Sequence, residues 1–315
     1  MKDNIMNLIN KVKSNQDNTI KYIFKIFGNS GYVDTKTDCD INDIIVEFAY
    51  INKDDGKDII CVPSQSSCKQ GCKFCHITDV KDKIHYRNLT DQEIFNGIEY
   101  IINDLNLIKN QRVLLISYMG CGEPIINYEN VFYSMGNTYD KYYDKFPLIR
   151  FAIATSLPEK SWTNFFRLVY LIKNSAISNQ VKFHLSLHYT IDSIRKEWMP
   201  SSLDIIPSLV ALEFFRKLTN NSVEIHYALI EGVNDTEQDA ILLTEFLKNR
   251  DIPVKFLFYN KKNSLPYVAS NTNKLNHFKK YFNKNNIQHE YYIPPGLDVG
   301  ASCGQFLLDY YLNNS

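Results

Sequence analysis

Residues 60–78 read ICVPSQSSCKQGCKFCHIT and contain four of the chain's seven cysteines. Residues 59–62 are a short apolar run typical of a buried strand, whereas the cysteines beyond it share their loop with lysine, glutamine and glycine, which belong on a surface. Cys68, Cys72 and Cys75 are spaced C-x3-C-x2-C, without a fourth cysteine at a matching distance. Three thiolates on one loop predict a 4Fe-4S cluster in which one iron stays open to a substrate or cofactor.

Two other prosthetic groups fit the cysteine pattern less well. A structural zinc site takes four closed ligands. The nearest fourth donors are Cys61, seven residues before the loop's first cysteine, and His76, which adjoins its last cysteine and so points away from a shared tetrahedron. The string CKFCH, residues 72–76, matches the c-type haem attachment pattern. Haem attachment requires export, however, and the first eighteen residues are too polar for a signal peptide.

The composition indicates a globular protein without a global charge. The chain has 315 residues, 44% of them hydrophobic, and its 35 basic and 35 acidic residues give a formal net charge of zero. No apolar run approaches the roughly twenty residues that span a bilayer, and no overall field draws the protein to nucleic acid. We therefore expect a cytoplasmic location, where thiols stay reduced and clustered cysteines indicate metal or redox chemistry before disulfides.

Strand-like runs and helix-like stretches alternate along most of the chain. The helical stretches include residues 90–105, which open on Thr90 with Glu93 three residues later, and residues 236–248. This alternation predicts a parallel α/β sheet, either doubly wound or a partial barrel, and both collect ligands at the carboxyl ends of their strands. The six predicted strands are residues 59–62, 113–118, 149–154, 181–187, 223–229 and 254–259.

Ahead of these strands, residues 19–27 and 44–50 alternate like two antiparallel strands. The first eighteen residues are predicted to form a single short helix at most. We therefore expect an amino-terminal helix and β extension over residues 1–56, and a barrel with a carboxyl-terminal segment over residues 57–315.

Several polar or small residues follow the predicted strands. In the loop MGCGEP, residues 119–124, the small residues would let a ligand approach the backbone, and Glu123 could pair with an ammonium group. Ser186, His188 and Asn260, taken singly, would be hydrogen-bonded core residues in most proteins. Their common position at strand ends makes them candidates for a site.

Taken together and in order, these segments resemble the radical S-adenosylmethionine (SAM) RNA methyltransferases. That family modifies carbon 2 of adenosine in ribosomal and transfer RNA, and its antibiotic-resistance relative modifies carbon 8. The resemblance covers about residues 19–308 and implies a partial (β/α)6 TIM-type barrel with a β extension. The segments that carry it are VEFAYI, ICVPSQSSCKQGCKFC, GCGEPIIN, SLH, GVND, LFYN and ASCGQ.

The resemblance implies two cofactors, a 4Fe-4S cluster and SAM. Cys68, Cys72 and Cys75 would hold the cluster, and Glu123, next to Gly122, would receive the methionine ammonium of SAM. The remaining positions that match the family's cofactor pocket are Ser186, Leu187, His188 and Asn260.

The resemblance also implies a route for the methyl group. In the family, one SAM molecule methylates the cysteine that corresponds to Cys303, and a second generates a radical that removes hydrogen from this methyl. The carbon radical adds to adenine. Cys61 would then attack Cys303 to release the product, and Glu47 would act as the base.

The implied partners are an RNA substrate and an electron donor such as flavodoxin or ferredoxin, with no membrane and a monomeric chain. Compared with the family, the helical accessory domain that helps to hold RNA is almost entirely absent from this sequence, which leaves substrate choice open. Seven lysines between residues 255 and 284, without an acidic residue, are a candidate RNA surface. The alternatives are the same chemistry on a smaller RNA, a nucleotide or a peptide, and a non-catalytic iron–sulfur or zinc module.

Overall fold

A computed structural model describes residues 6–28, 43–53, 55–261, 264–302 and 305. The chain divides into two compact units. The first unit comprises residues 1–69, 76–151 and 295–315, and the second unit comprises residues 70–75 and 152–294.

The first unit contains five strands in chain order. They are β1 (Met6–Lys13), β2 (Thr19–Ile26), β3 (Ile44–Lys53), β4 (Lys57–Cys61) and β5 (Val113–Tyr118). Strands β1 to β4 pair antiparallel, each with the next, whereas β4 and β5 pair parallel. Strand β4 thus joins the β extension to the parallel part of the sheet.

The prediction of a helix in the first eighteen residues is wrong, because Met6–Lys13 is strand β1. Its sequence MNLINKVK carries no strong strand signal, since half of its residues are polar and they do not alternate regularly with the apolar ones. Pairing with β2 from Met6↔Ile26 to Lys13↔Ile20 supplies the backbone hydrogen bonds, with one irregularity between Leu8 and Asn10. Tertiary pairing therefore overrides local propensity here.

Three helices belong to the first unit: α1 (Ile77–Val80), α2 (Asp91–Asp104) and α3 (Tyr128–Tyr142). Helix α2 begins as predicted, because Thr90 Oγ1 accepts from the Glu93 N–H at 3.2 Å and Glu93 Oε2 accepts from the Thr90 N–H at 2.9 Å. Arg87 also donates two hydrogen bonds to the Glu93 carboxylate, at 2.8 and 2.7 Å. The buried carboxylate therefore satisfies the helix start and an arginine together.

Strand β6 (Ile149–Thr155) crosses the change of unit in the sequence, and β7 (Val181–Ser186), β8 (Val223–Leu229), β9 (Val254–Phe258) and β10 (His289–Tyr292) follow. Strands β7 to β10 pair parallel, each with the next. The six predicted strands are confirmed as β4 to β9, with ends that differ by at most two residues. Strand β10 was missed because its four residues are largely exposed and carry no apolar run.

The second unit alternates its strands with helices. These are α4 (Trp162–Lys173), α5 (Asp192–Trp198), α6 (Ile205–Thr219), α7 (Glu237–Leu247) and α8 (Thr272–Lys284). Helix α8 buries Leu275, Phe278 and Phe282, so these three residues of the lysine-rich stretch belong to the core. None of the described helices is long and apolar enough to cross a membrane.

Helix α2 packs closely on β3 at a glycine. A Cβ on Gly97 would lie 2.3 Å from the ring of the fully buried Phe48, whereas a Cβ on Gly136 of α3 would meet nothing within 4 Å. Gly97→Ala should therefore overpack the core and lower the free energy of unfolding by about 1–3 kcal/mol. Gly136→Ala should raise it by about 0.5–1 kcal/mol, because alanine loses less backbone entropy in a helix.

Urea unfolding of the two variants measures this difference. If Gly97→Ala and Gly136→Ala changed the free energy of unfolding equally, in either direction, the close contact between α2 and β3 would be contradicted.

Candidate active site

The loop after β5 is held by the loop after β4, within the first unit. The Gly120 N–H donates to the Val62 carbonyl at 3.1 Å, and the Ser64 N–H donates to the Cys121 carbonyl at 2.8 Å. A Cβ on Gly120 would lie 2.8 Å from the Val62 carbonyl, and one on Gly122, at φ +103°, would lie 2.6 Å from Ser64 Oγ. The absence of a side chain at these glycines therefore lets the two loops approach each other closely.

Gln65 orients the predicted ammonium-binding residue. Its Oε1 accepts from the Glu123 N–H at 2.9 Å, and its Nε2 donates to Tyr86 Oη and Asn88 Oδ1, both at 2.7 Å. Gln65 is fully buried and Glu123 is 4% exposed. The amide of Gln65 thus fixes the backbone from which the Glu123 carboxylate projects.

The cysteine loop has no helix or strand between Cys61 and His76. Within the second unit, the Lys73 N–H donates to the Trp198 carbonyl at 2.9 Å, and the Cys75 N–H donates to the Cys72 carbonyl at 3.1 Å. Cys72 also packs on the buried cluster that includes Tyr189 and Trp198. The carboxyl end of α5 therefore holds the second half of the loop.

His188 follows β7 in the left-handed backbone region, at φ +56°. Its Nδ1 accepts from the Ala228 N–H at 2.9 Å, and its carbonyl accepts from Asn234 Nδ2 at 2.6 Å. Burial, together with the charge of Arg195, lowers the pKa of His188 to about 3. The imidazole is therefore neutral at pH 7, and because Nδ1 accepts a hydrogen bond, the proton lies on Nε2.

A fully buried arginine that the sequence reasoning did not single out organises the strand ends of the second unit. Arg195 of α5 donates to the carbonyls of Ser186 at 2.8 Å, Ser156 at 3.0 Å and Leu203 at 2.9 Å, and it also donates to the Leu187 carbonyl. A guanidinium is acceptable inside a protein when its donors are used, as here. Arg195 looks like a surface residue of an amphipathic helix in the sequence, so only its contacts disclose the role.

Asn260 lies two residues after β9 and is 6% exposed. Ser186, Leu187, His188 and Asn260 therefore all lie at or just beyond carboxyl ends of strands in the second unit, as the sequence predicted. Gly122 and Glu123 occupy the same kind of position after β5 in the first unit.

Cys61 and Glu47 lie in the first unit on one face of the β extension. Lys21 pairs with Ala49, and Ala49 pairs with Cys61, so the three side chains form one row across β2, β3 and β4. Glu47, two residues before Ala49, lies with its Oε1 3.8 Å from Lys21 Nζ, and their side chains are 0% and 3% exposed. Lys21 was missed because one lysine in an alternating strand is normally solvated.

The segment before Cys303 reaches the same face. Val299 and Ala301 share a buried cluster with Ala49 and Cys61. Residues of the turn between β1 and β2 tie this segment down, because Ser14 Oγ donates to Asp298 Oδ1 at 2.7 Å and the Gly296 N–H donates to Asp17 Oδ2 at 2.8 Å. Cys303 itself lies outside the described residues.

The residues of the cysteine loop suit an iron–sulfur cluster. Cys68, Cys72 and Cys75 are half-buried thiols, and in the described part of the chain none forms a disulfide. Beside them, the buried Tyr189 Oη and Gln70 Oε1 make no hydrogen bond to any described residue. Three soft thiolate donors with buried polar atoms at hand match the chemistry of such a cluster and a polar cofactor.

A strand–helix barrel with three thiols on the loop after its first parallel strand defines the class of radical SAM enzymes. No protein-family model matches the chain. The chain is 30% identical over 298 residues to the dual-specificity RNA methyltransferase RlmN of Wigglesworthia glossinidia brevipalpis, which covers 92% of this chain and 70% of that protein. It is 28% identical over 305 residues to the probable RlmN of Finegoldia magna, covering 96% of this chain and 78% of the relative.

Among solved structures, a radical SAM methyltransferase from Sphaerobacter thermophilus superposes with a TM-score of 0.79 at 23% identity, covering 96% of this chain and 81% of that one. This likeness confirms the predicted TIM-type radical SAM fold. The chain belongs to the RlmN family of radical SAM methyltransferases, and it is an enzyme.

The three hydrogen bonds of Gln65 predict a binding defect when they are lost. With Glu123 in its predicted role, Gln65→Ala should weaken SAM binding roughly tenfold, because the lost hydrogen bond to the Glu123 N–H contributes about 0.5–1.5 kcal/mol to its placement. Calorimetric titration of the cluster-reconstituted protein with SAM measures the affinity. Gln92→Ala on α2 is the control and should bind like the wild type, and an unchanged affinity in Gln65→Ala would refute the assigned role.

Two lysines of β2 offer a matched test of the buried ion pair. Lys21→Met should lower the free energy of unfolding by about 3–5 kcal/mol, because it leaves the Glu47 carboxylate buried without its cation. Lys25 pairs with Asp43 at 2.7 Å, with side chains 36% and 43% exposed. Lys25→Met should therefore lower the free energy of unfolding by less than about 1 kcal/mol. Chemical denaturation compares the two, and similar losses would show that the Lys21–Glu47 pair is not specifically stabilising.

Proposed function

We propose that this enzyme transfers a methyl group to carbon 2 of an adenosine in ribosomal or transfer RNA, by way of a methyl group carried on Cys303. The relatives of the chain include dual-specificity RNA methyltransferases, which supports an RNA substrate. Carbon 8 of adenosine is the alternative target, because the resemblance includes both groups of enzymes.

The observation that carries this proposal is the packing around Cys61. Cys61 shares a buried cluster with Val299 and Ala301, and Cys303 follows Ala301 by two residues. Two residues of extended chain span at most about 7 Å. This short spacing from Ala301 supports the proposal that Cys303 and Cys61 exchange thiols.

Cys68, Cys72 and Cys75 would hold a 4Fe-4S cluster, and Gly122, Glu123, Ser186, Leu187, His188 and Asn260 would line the SAM site. When bound, the two cofactors supply the one-electron chemistry that can attach carbon to an electron-poor aromatic ring. His188 contributes a neutral side chain with its proton on Nε2, which suits a polar but uncharged contact with the cofactor.

The remaining residues would handle the methyl group and the protons. Cys303 would carry the group as a thioether until its carbon is bonded to the adenine. Glu47 would accept the proton that leaves the ring carbon. The Cys61 thiolate would then form a disulfide with Cys303 as the bond between sulfur and the transferred carbon breaks, so the electron pair of that bond leaves with the product.

An external donor such as flavodoxin or ferredoxin would supply electrons, and we propose a monomer acting in the cytoplasm. For the RNA surface we propose the lysines of α8, Lys274, Lys279, Lys280 and Lys284. Lys255 is excluded from this surface because it forms ion pairs with Glu224 at 3.0 Å and Glu290 at 2.8 Å.

Three cysteine variants test the proposed transfer. With methyl-labelled SAM and RNA from cells that lack the protein, wild type should label both the chain and adenosine. Cys303→Ala should label neither, because the acceptor thiol is gone. Cys61→Ala should accumulate label in a covalent protein–RNA product, because release is blocked. Cys39→Ala, which removes a thiol without a proposed role, should behave as wild type.

Mass spectrometry of digested RNA and of the protein measures these outcomes. Adenosine labelling by Cys303→Ala would overturn the cysteine-carried route. Labelling of a short RNA or a free nucleotide in place of intact RNA would shift the substrate assignment while leaving the route intact.

A further inference from the structure

A second group of metal-ligating side chains lies in the second unit, and none of its members has a role assigned above. His184, Glu224 and His226 are 5%, 6% and 7% exposed. Their ligand atoms converge: His184 Nδ1 lies 2.8 Å from His226 Nε2 and 3.1 Å from Glu224 Oε1, and His226 Nε2 lies 3.3 Å from the same oxygen. Three electronegative atoms therefore face one point.

The register of two parallel strands produces this convergence. His184 of β7 pairs with Glu224 of β8, and Ser186 pairs with His226, so His184 lies level with the first of the two β8 residues. Residues two apart on a strand share a face, which puts Glu224 and His226 on one side of β8. His184 and Glu224 lie one register step before Ser186, and His226 lies level with Ser186.

The donor set and its spacing suit a transition metal. Two neutral imidazoles and one carboxylate are typical ligands of zinc and its first-row neighbours, bound at about 2.0–2.2 Å. Ligands at that distance in a tetrahedron are separated by about 3.4 Å. The three observed separations fall short of this value by a few tenths of an ångström, so small side-chain movements would open the site.

The two carboxylate oxygens of Glu224 contact different lysines. Lys182 Nζ donates to Oε2 at 2.6 Å, whereas Lys255 Nζ lies 3.0 Å from Oε1 and 2.8 Å from Glu290 Oε1. An ion that binds Oε1 would leave the Lys182 bond intact as an orienting contact. Lys255 would be displaced from Oε1 and retained by Glu290, so Lys255 competes with the ion.

We propose that His184, Glu224 and His226 bind a divalent first-row transition metal ion of the zinc type, with water completing the coordination. The ion cross-links β7 and β8. It shares no ligand with the cysteine loop or with the residues proposed for methyl transfer. Its role is to stabilise the second unit.

The test uses full-length protein whose iron–sulfur cluster has been reconstituted, so that the loop cysteines are occupied. Equilibrium dialysis against buffered zinc, followed by elemental analysis, measures zinc bound per chain. Wild type should bind one ion. His184→Gln and Glu224→Gln should each bind at least tenfold more weakly, and the control His277→Gln, on α8 and outside the cluster, should match wild type. Lys255→Met should bind more tightly than wild type, because it removes the competing cation.

Two further measurements distinguish loss of the site from a folding defect, and zinc at the site from zinc bound by the cysteines. Zinc should raise the thermal midpoint of wild type and Lys255→Met but not of His184→Gln. X-ray absorption at the zinc edge should show nitrogen and oxygen neighbours at about 2.0–2.1 Å. A sulfur shell at about 2.3 Å, or equal zinc binding by wild type and a folded His184→Gln variant, would overturn the proposal.

Discussion

The architecture depends on β4, which pairs antiparallel with β3 on one side and parallel with β5 on the other. Cys61, the last residue of β4, pairs with Ala49 in one direction and with Ser117 in the other. The chain then leaves the strand directly into the cysteine loop. A single five-residue strand therefore sets where Cys61 lies and where the predicted cluster loop begins, because a one-residue slip would turn Cys61 to the opposite face.

The β extension holds the carboxyl-terminal segment in place through direct contacts. The turn between β1 and β2 holds Gly296 and Asp298 through half-buried hydrogen bonds. Gly296 is at φ +75°, and a Cβ there would lie 2.8 Å from Thr19, so the segment lies against the start of β2. The extension thus holds residues 296–301, which precede Cys303, against the face that carries Cys61 and Glu47.

Polar side chains in the interior do most of the positioning around the candidate active site. Arg195 and Asn234 each bond several backbone groups of loops that carry predicted site residues, and Gln65 bonds the Glu123 N–H. A buried polar group costs free energy unless it is hydrogen-bonded, so such networks tolerate few alternative arrangements. This rigidity suits a site that must hold a reactive cofactor in one orientation.

The sequence by itself determined the parallel strands, the start of α2 and the residue types of the candidate site. Apolar runs, the pairing of Thr90 with Glu93, and the order of the motifs are local signals that survive without coordinates. It did not disclose β1, β10, Lys21 or Arg195, because an edge strand and a buried charge are defined by what lies beside them. Only the tertiary structure placed Val299 and Ala301 against Cys61 and brought His184 level with Glu224, since strand register and long-range packing join residues that local patterns treat as unrelated.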